Sequence, residues 1–374
     1  MFGFVLIMAL GIVISGLVMG ITPFVIRKNI HFGVSLPDCA NELEETKNWK
    51  RLFFVWSVVL TAVCAFSFVA GYLIFEFDEN IITLLGTFLI FAVIFVQIFM
   101  YFIFHGKAKK FKNSSYSNHE IRKDARIMVE PDFRNDKVII PNFIFILVGF
   151  LIILATVAAP VIMWDQIPDY VPTHFNSQNV ATTYSAKSWS VFALMPITQA
   201  VILAIFVGAN FTFKITKQNI RANNAKVSIA QNRAFRYALS KYLLFMGCAT
   251  LLLMTFIQFM FIFPSWASHI MWITIFYMVL ILVWIFVIVF KYGQGGERFK
   301  PTNLADETTN FQQVDDDEFW KWGVIYYNPN DSALFVEKRF GIGMTLNFAK
   351  WPAWVAIGLI LLVTLVASVL PFVL

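Results

Sequence analysis

Two carboxylates and an imidazole lie close together in the stretch Asp165-Gln166-Ile167-Pro168-Asp169-Tyr170-Val171-Pro172-Thr173-His174-Phe175-Asn176. Such a set carries donor atoms for a cation or a peptide amine, and an imidazole near a carboxylate is a starting point for acid–base chemistry. The spacing is loose for a metal, because three ligands without a fixed interval specify no coordination geometry. Pro168 and Pro172 each fix their own φ and push the preceding residue toward extended backbone. The stretch is therefore expected to be stiff and preorganised. Asp165, Pro168, Asp169, Pro172, His174, Phe175 and Asn176 are the candidate ligand-binding residues. The plainer expectation is a structural turn with a solvated histidine.

Two further stretches combine cations with aromatics. Ser228-Ile229-Ala230-Gln231-Asn232-Arg233-Ala234-Phe235-Arg236 reads as an amphipathic helix whose Arg233 and Arg236 meet anionic headgroups. The second runs from Phe319 to Met344. Its aromatic and β-branched residues around Asn328-Pro329-Asn330-Asp331 predict a short hairpin-like module. Trp320, Lys321, Trp322, Tyr326, Tyr327, Lys338 and Arg339 are the mix of a membrane interface, so the module is expected to lie on the inner leaflet. Phe340-Gly341-Ile342-Gly343 lacks the Gly-Lys pair of a phosphate loop.

Other chemistry is poorly supported. The chain has no HExxH and no GxSxG. Cys39, Cys64 and Cys248 form no CxxC, which argues against a disulfide framework or a zinc site. His31, His105, His119, His174 and His269 are scattered. No catalytic residue, metal or cofactor is assigned, and the chain is expected not to be an enzyme.

The elements that carry these residues follow from composition. Of the 374 residues, 59% are hydrophobic and only 14% charged, and Phe occurs 42 times. Soluble domains are about 25% charged. One aqueous core could not bury so much apolar surface, whereas a bilayer solvates it. A helix needs about 20 apolar residues to cross the hydrocarbon. Eight stretches qualify: Phe2–Ile26, Leu52–Phe75, Ile81–Phe104, Phe143–Trp164, Ser190–Phe213, Tyr242–Phe263, His269–Phe290 and Trp354–Leu374. They are apolar all round, without the alternation of barrel strands. The expected fold is an all-α integral membrane protein with about eight transmembrane helices. The first helix is expected to be retained, because no Lys or Arg precedes it.

The net charge is +6. The basic residues sit between the apolar runs, so direct nucleic-acid binding is not expected. Of the 29 Lys and Arg residues, the odd-numbered gaps hold all but Lys187. The positive-inside rule then puts those gaps in the cytoplasm and both termini outside. The expected organisation is a three-helix region at 1–140 and a four-helix region at 141–290 with an external loop at 165–189. A cytoplasmic interfacial module at 291–353 and a last helix at 354–374 follow. No Asp, Glu, Lys or Arg falls mid-span, which argues against an ion-coupled transporter or pump. Gln97, Gln199, Asn210 and Gln258 are expected to hydrogen-bond between helices, with a polar pathway as the alternative.

Ile167–Asn176 resembles the Pro-x-x-x-Pro-x-His-Phe-Asn signature of the domain at the start of the immunity protein of the sporulation-delay toxin system. Asp317–Phe348 resembles a companion domain of unknown function, through its Trp-Lys-x-Gly, Tyr-Asn-Pro-x-Asp and Lys-Arg-Phe-Gly-x-Gly elements. Gln231-Asn232-Arg233 is similar to a recurring element of such proteins. The resemblance implies a Firmicute-type, Gram-positive plasma membrane protein, immunity-protein-like and concerned with antimicrobial peptide resistance. The function expected is that of a non-enzymatic membrane protein of immunity or envelope-sensing type. Its partners would be the lipid bilayer, an extracellular peptide or envelope ligand, and a cytoplasmic regulator. The alternatives are a permease or lipid-handling transporter, or an enzyme centred on His174.

Overall fold

The structure is a computed structural model that describes residues 2–75, 77–116, 138–176, 180–217, 220, 224–302 and 315–373. His119 and the basic residues between 122 and 137 lie outside that set. Backbone groups in hydrocarbon must be satisfied within their own segment, so each apolar run closes into a helix. The helices are α1 (Phe2–Val25), α2 (Glu44–Phe75), α3 (Glu79–Ser115), α4 (Asn142–Ile162), α5 (Trp189–Ile215), α6 (Ala225–Ile262), α7 (Ile270–Tyr292) and α8 (Trp351–Val373). The first seven are long and apolar enough to span a bilayer. The chain is an all-α, multi-pass membrane protein. Its outward side chains are large and apolar, Phe66 being 76% exposed, as expected where lipid is the solvent.

Three helices outrun the hydrocarbon. α2, α3 and α6 contain 32, 37 and 38 residues. At about 1.5 Å per residue each exceeds the roughly 30 Å core. The surplus falls at the start of α2 and α6 and at the end of α3, always toward the basic connections. The same side therefore gains a collar of helix ends standing clear of the apolar layer.

The helices pack in two groups. α1 lies against α2 and α3, while α4, α5 and α6 contact one another, and α7 packs on α6 and reaches α1. Small residues set the first contact. A Cβ on Gly16 of α1 would fall 1.8 Å from Thr61 Oγ1, and one on Gly20 would fall 2.9 Å from Ser57 Cβ. Close backbone approach of this kind drives association where no hydrophobic effect operates between helices. Gln97 donates to the Gly16 carbonyl at 2.9 Å. Gln199 donates to the Leu251 carbonyl at 2.9 Å and to Thr255 Oγ1 at 3.0 Å, and Gln258 to the Thr156 carbonyl at 2.7 Å. Asn210 donates to the Ile140 carbonyl at 2.8 Å and accepts from Ser240 at 2.6 Å. All four are buried, and each ties one helix to its neighbour or to an adjoining connection.

Among the described residues, four antiparallel hairpins lie in the connections: β1 (Ile30–His31) with β2 (Val34–Ser35), β3 (Tyr170–Phe175) with β4 (Ala181–Ala186), β5 (Trp320–Lys321) with β6 (Ile325–Tyr326), and β7 (Phe335–Glu337) with β8 (Met344–Leu346). Three belong to the basic side; β3–β4 belongs to the other. The turns of the first and third hairpins meet at Gly33 and Gly323, where φ is +80° and +72°. A Cβ on Gly33 would lie 2.6 Å from the Gly323 Cα, so neither glycine admits a side chain.

Candidate functional site

The Pro-rich stretch opens with a 3-10 turn at Trp164–Gln166, which holds Asp165, and continues past Pro168 into the extended strand β3, which contains Pro172. Ile167 and Val171 are buried against Phe192 of α5 and Phe261 and Ile262 of α6, which fixes the hairpin to the bundle. Lys187 is the clasp. Its ammonium donates to the carbonyls of Trp164 at 3.2 Å and Ile167 at 3.0 Å, lies 3.8 Å from Asp169, and sits over the Trp164 ring. The rings of Trp164 and Trp189 stack at 4.0 Å. Asn176 accepts from the Val180 amide at 2.9 Å and closes the loop.

The candidate residues divide accordingly. Asp165, Pro168, Asp169 and His174 are exposed. Pro172 is buried within the strand that it shapes. Phe175 is partly buried and packs on the apolar footing. Among the described residues, no group of three His, Cys, Asp or Glu side chains converges as a metal site would require.

On the basic side the chemistry is denser. Glu337, at the end of β7, reaches the ends of both helix groups on the basic side. It pairs with Arg27, just beyond α1, and accepts from Asn232 of α6 at 2.7 Å. Arg236 lies 3.7 Å from the same carboxylate. All four are buried, Arg236 completely. The Arg236 guanidinium donates to the carbonyls of Phe213 at 2.9 Å, Thr216 at 3.0 Å and Lys217 at 3.1 Å. Those carbonyls end α5, where the helix dipole favours a cation. One carboxylate thus lies against two guanidiniums, and backbone oxygens take up the Nη groups of Arg236.

Arg339 and Phe340 extend the same hairpin tip toward α3. Arg339 donates to the Gly33 carbonyl at 2.9 Å and pairs with Asp316 and Asp317. Lys112 of α3 reaches Asp317 at 2.6 Å and also pairs with Asp315. Burial alone would raise the Asp317 carboxyl; the Arg339 charge and the Lys112 hydrogen bond reverse that and hold it below its ordinary value. The Phe340 ring packs 4.4 Å from Tyr101 and within 6.4 Å of Phe53, centre to centre. Tyr101 donates to the Trp322 carbonyl at 3.1 Å. Behind the tip, Asn347 is fully buried and donates to the Asn328 and Ala333 carbonyls, at 2.9 and 3.2 Å, joining β6 to β7 and β8.

Several sequence-based assignments change here. Arg236 was expected to face headgroups, and instead it lies inside the protein holding the end of α5. Trp320, Tyr326 and Arg339 are likewise buried, because they form the body of the module and its ionic bonds. Arg233 is partly buried, while Lys321, Trp322, Tyr327 and Lys338 remain exposed. The module does not simply rest on a leaflet; its tip is inserted among the helix ends. Sequence reasoning passed over Arg27, Lys112, Asn232, Asp316, Asp317, Glu337 and Phe340. A signal existed for one of them: Glu337 is the single acid between 332 and 350.

His31 is a separate oddity. It is fully buried, and neither ring nitrogen makes a hydrogen bond of good geometry. Burial, aided by the charge of Lys50, pushes its pKa down to about 3, although the Lys28 carbonyl opposes the shift. The ring is therefore neutral at ordinary pH.

A domain of unknown function (DUF1648) matches residues 151–199, from the second half of α4 through β3–β4 into α5. A family of unknown function (DUF5808) matches residues 329–354, which include β7–β8, Glu337 and Asn347. No curated protein and no solved structure matches the chain.

Proposed function

We propose that the chain is a non-enzymatic, multi-spanning bacterial plasma membrane protein of immunity or envelope-sensing type. In this reading it crosses the membrane eight times, with both termini and the β3–β4 hairpin outside. The hairpin meets an extracellular peptide or envelope ligand, and the β5–β8 module, inside, meets headgroups or a cytoplasmic regulator through Lys321, Trp322, Tyr327 and Lys338.

The observation that carries this is the asymmetry between the faces. One face offers a rigid hairpin with exposed Asp165, Asp169 and His174. The other binds both helix groups through the buried carboxylate of Glu337. Such an arrangement is suited to reporting or blocking an external event, because a shift between the helix groups must disturb the Glu337 contacts. A permease reading is less favoured, since Gln97, Gln199, Asn210 and Gln258 are engaged in contacts that hold helices together. The test is a deletion strain. Increased sensitivity to antimicrobial peptides or altered envelope-stress transcription is expected; no change in either overturns the reading.

A further inference from the structure

The β3–β4 hairpin has two edges, and they are unequal. β3 is the inner strand: it contacts α6, and Val171 and Pro172 are buried. β4 is the outer strand, with Thr182, Thr183, Tyr184 and Ala186 exposed. Lys187 donates its amide to the Asp169 carbonyl at 2.7 Å, which makes that pair a hydrogen-bonded one. Antiparallel pairs alternate between bonded and non-bonded. The Pro172–Tyr184 and Tyr170–Ala186 pairs in the observed register are therefore non-bonded. It follows that the N–H and C=O groups of Tyr184 and Ala186 point away from β3. No described residue takes up these groups.

An open strand edge is a template for another strand, and proteins that do not use one usually blunt it with proline, charge or a covering element. Pro172 does this for β3, since the missing N–H belongs to its outward side. β4 has no proline, no charge and no cover among the described residues. The surroundings select by charge. Asp165 and Asp169 are exposed, and Lys187, the one Lys or Arg between 165 and 189, lies 3.8 Å from Asp169 and is held by two carbonyls and the Trp164 ring, so the loop keeps an excess of acid at Asp165.

We propose that β4 is the docking edge for an extended cationic peptide, which adds to the hairpin as a third strand through the outward groups of Tyr184 and Ala186. This rests on the reading of the hairpin as the ligand-facing surface and specifies how recognition occurs there.

The test uses the full chain in phosphatidylcholine nanodiscs, with empty nanodiscs as baseline. The probe is a fluorescent alternating Lys-Val heptapeptide, compared with an analogue N-methylated at the amides of one edge. The unmodified probe should bind, and the methylated one should bind about tenfold more weakly, as loss of two or three backbone bonds implies. Tyr184→Pro should mimic methylation, and Asp165→Asn with Asp169→Asn should weaken binding and reduce its salt dependence. The methylated probe acts on the unaltered protein, so a folding defect in a variant does not decide the outcome. Equal binding of both probes overturns the proposal, as does no binding. A disulfide joining two copies through Tyr184→Cys would also overturn it, since β4 would then pair with itself. Failure of these experiments in a protein whose deletion does sensitise cells removes the strand mode alone; an unaffected deletion strain removes the underlying reading.

Discussion

Two small hairpins sit at opposite ends of the helix bundle, and they are built on opposite principles. β3–β4 rests on an apolar footing, is clasped by one lysine, and leaves a strand edge open. β7–β8 places Glu337 in buried contact with Arg27 and Asn232, and Arg339 in partly exposed ion pairs with Asp316 and Asp317. The first meets α5 and α6 through its apolar footing, whereas the side chains of the second are shared by both helix groups. A hairpin with a free edge is suited to contact, and a hairpin that binds several elements is suited to transmitting or resisting movement.

The largest effect should come from removing the shared carboxylate. Glu337→Ala leaves Arg27 and Arg236 buried around a lost counter-charge, and breaking a buried pair in this way costs about 3–5 kcal/mol. Thermal unfolding in detergent should show a large loss of stability, and a double-mutant cycle with Arg27→Ala should show coupling. Independent, additive effects would mean that the pair does not bind the groups together.

Phe340→Ala should follow, at about 3 kcal/mol, because it empties the space between Tyr101 and Phe53. The same assay checks it, and a neutral result would detach the tip from α3.

Acid should weaken the basic side in two steps. His31 has a folded pKa of about 3 against an ordinary 6.5. Its contribution is complete above pH 6.5 and is lost as pH falls toward 3. Asp317, also depressed, keeps its contribution above its ordinary 3.8 and loses it below. Stability measured against pH should therefore decline from 6.5 downward, and His31→Leu should flatten the upper part while leaving the decline below 3.8. An unchanged profile would show that His31 titrates normally.

The smallest effect belongs to the other hairpin. Lys187→Met should change global stability by no more than about 1 kcal/mol, yet increase hydrogen exchange across β3–β4. A global loss comparable to that of Glu337→Ala would erase the contrast between the two ends.

Apolar run length located the helices well, since hydrocarbon thickness and backbone satisfaction leave few options for Phe2–Val25 or Ile270–Tyr292. The roles of Gln97, Gln199, Asn210 and Gln258 were equally legible, because an amide in lipid has little else to bond. Hydropathy alone begins the sixth span at Tyr242, and it was the amphipathic pattern of Ser228–Arg236 that disclosed the helix before it; α6 runs unbroken through both from Ala225. Neither signal could find the Glu337 contacts. They join residues 105 to 310 positions apart for Asn232 and Arg27, and no local pattern records which carboxylate meets which guanidinium. Arg236 was misjudged for that reason: a cation in an amphipathic helix has the same spacing whether it faces headgroups or the protein interior.

The account depends most directly on the two hairpins facing opposite sides of the membrane. In a cysteine-free background, His174→Cys and Lys338→Cys each place one thiol at an exposed position, on β3 and on the β7–β8 tip. An impermeant maleimide added to intact cells should label position 174 and reach position 338 only after permeabilisation. Labelling of 338 in intact cells, or protection of 174, would contradict the account.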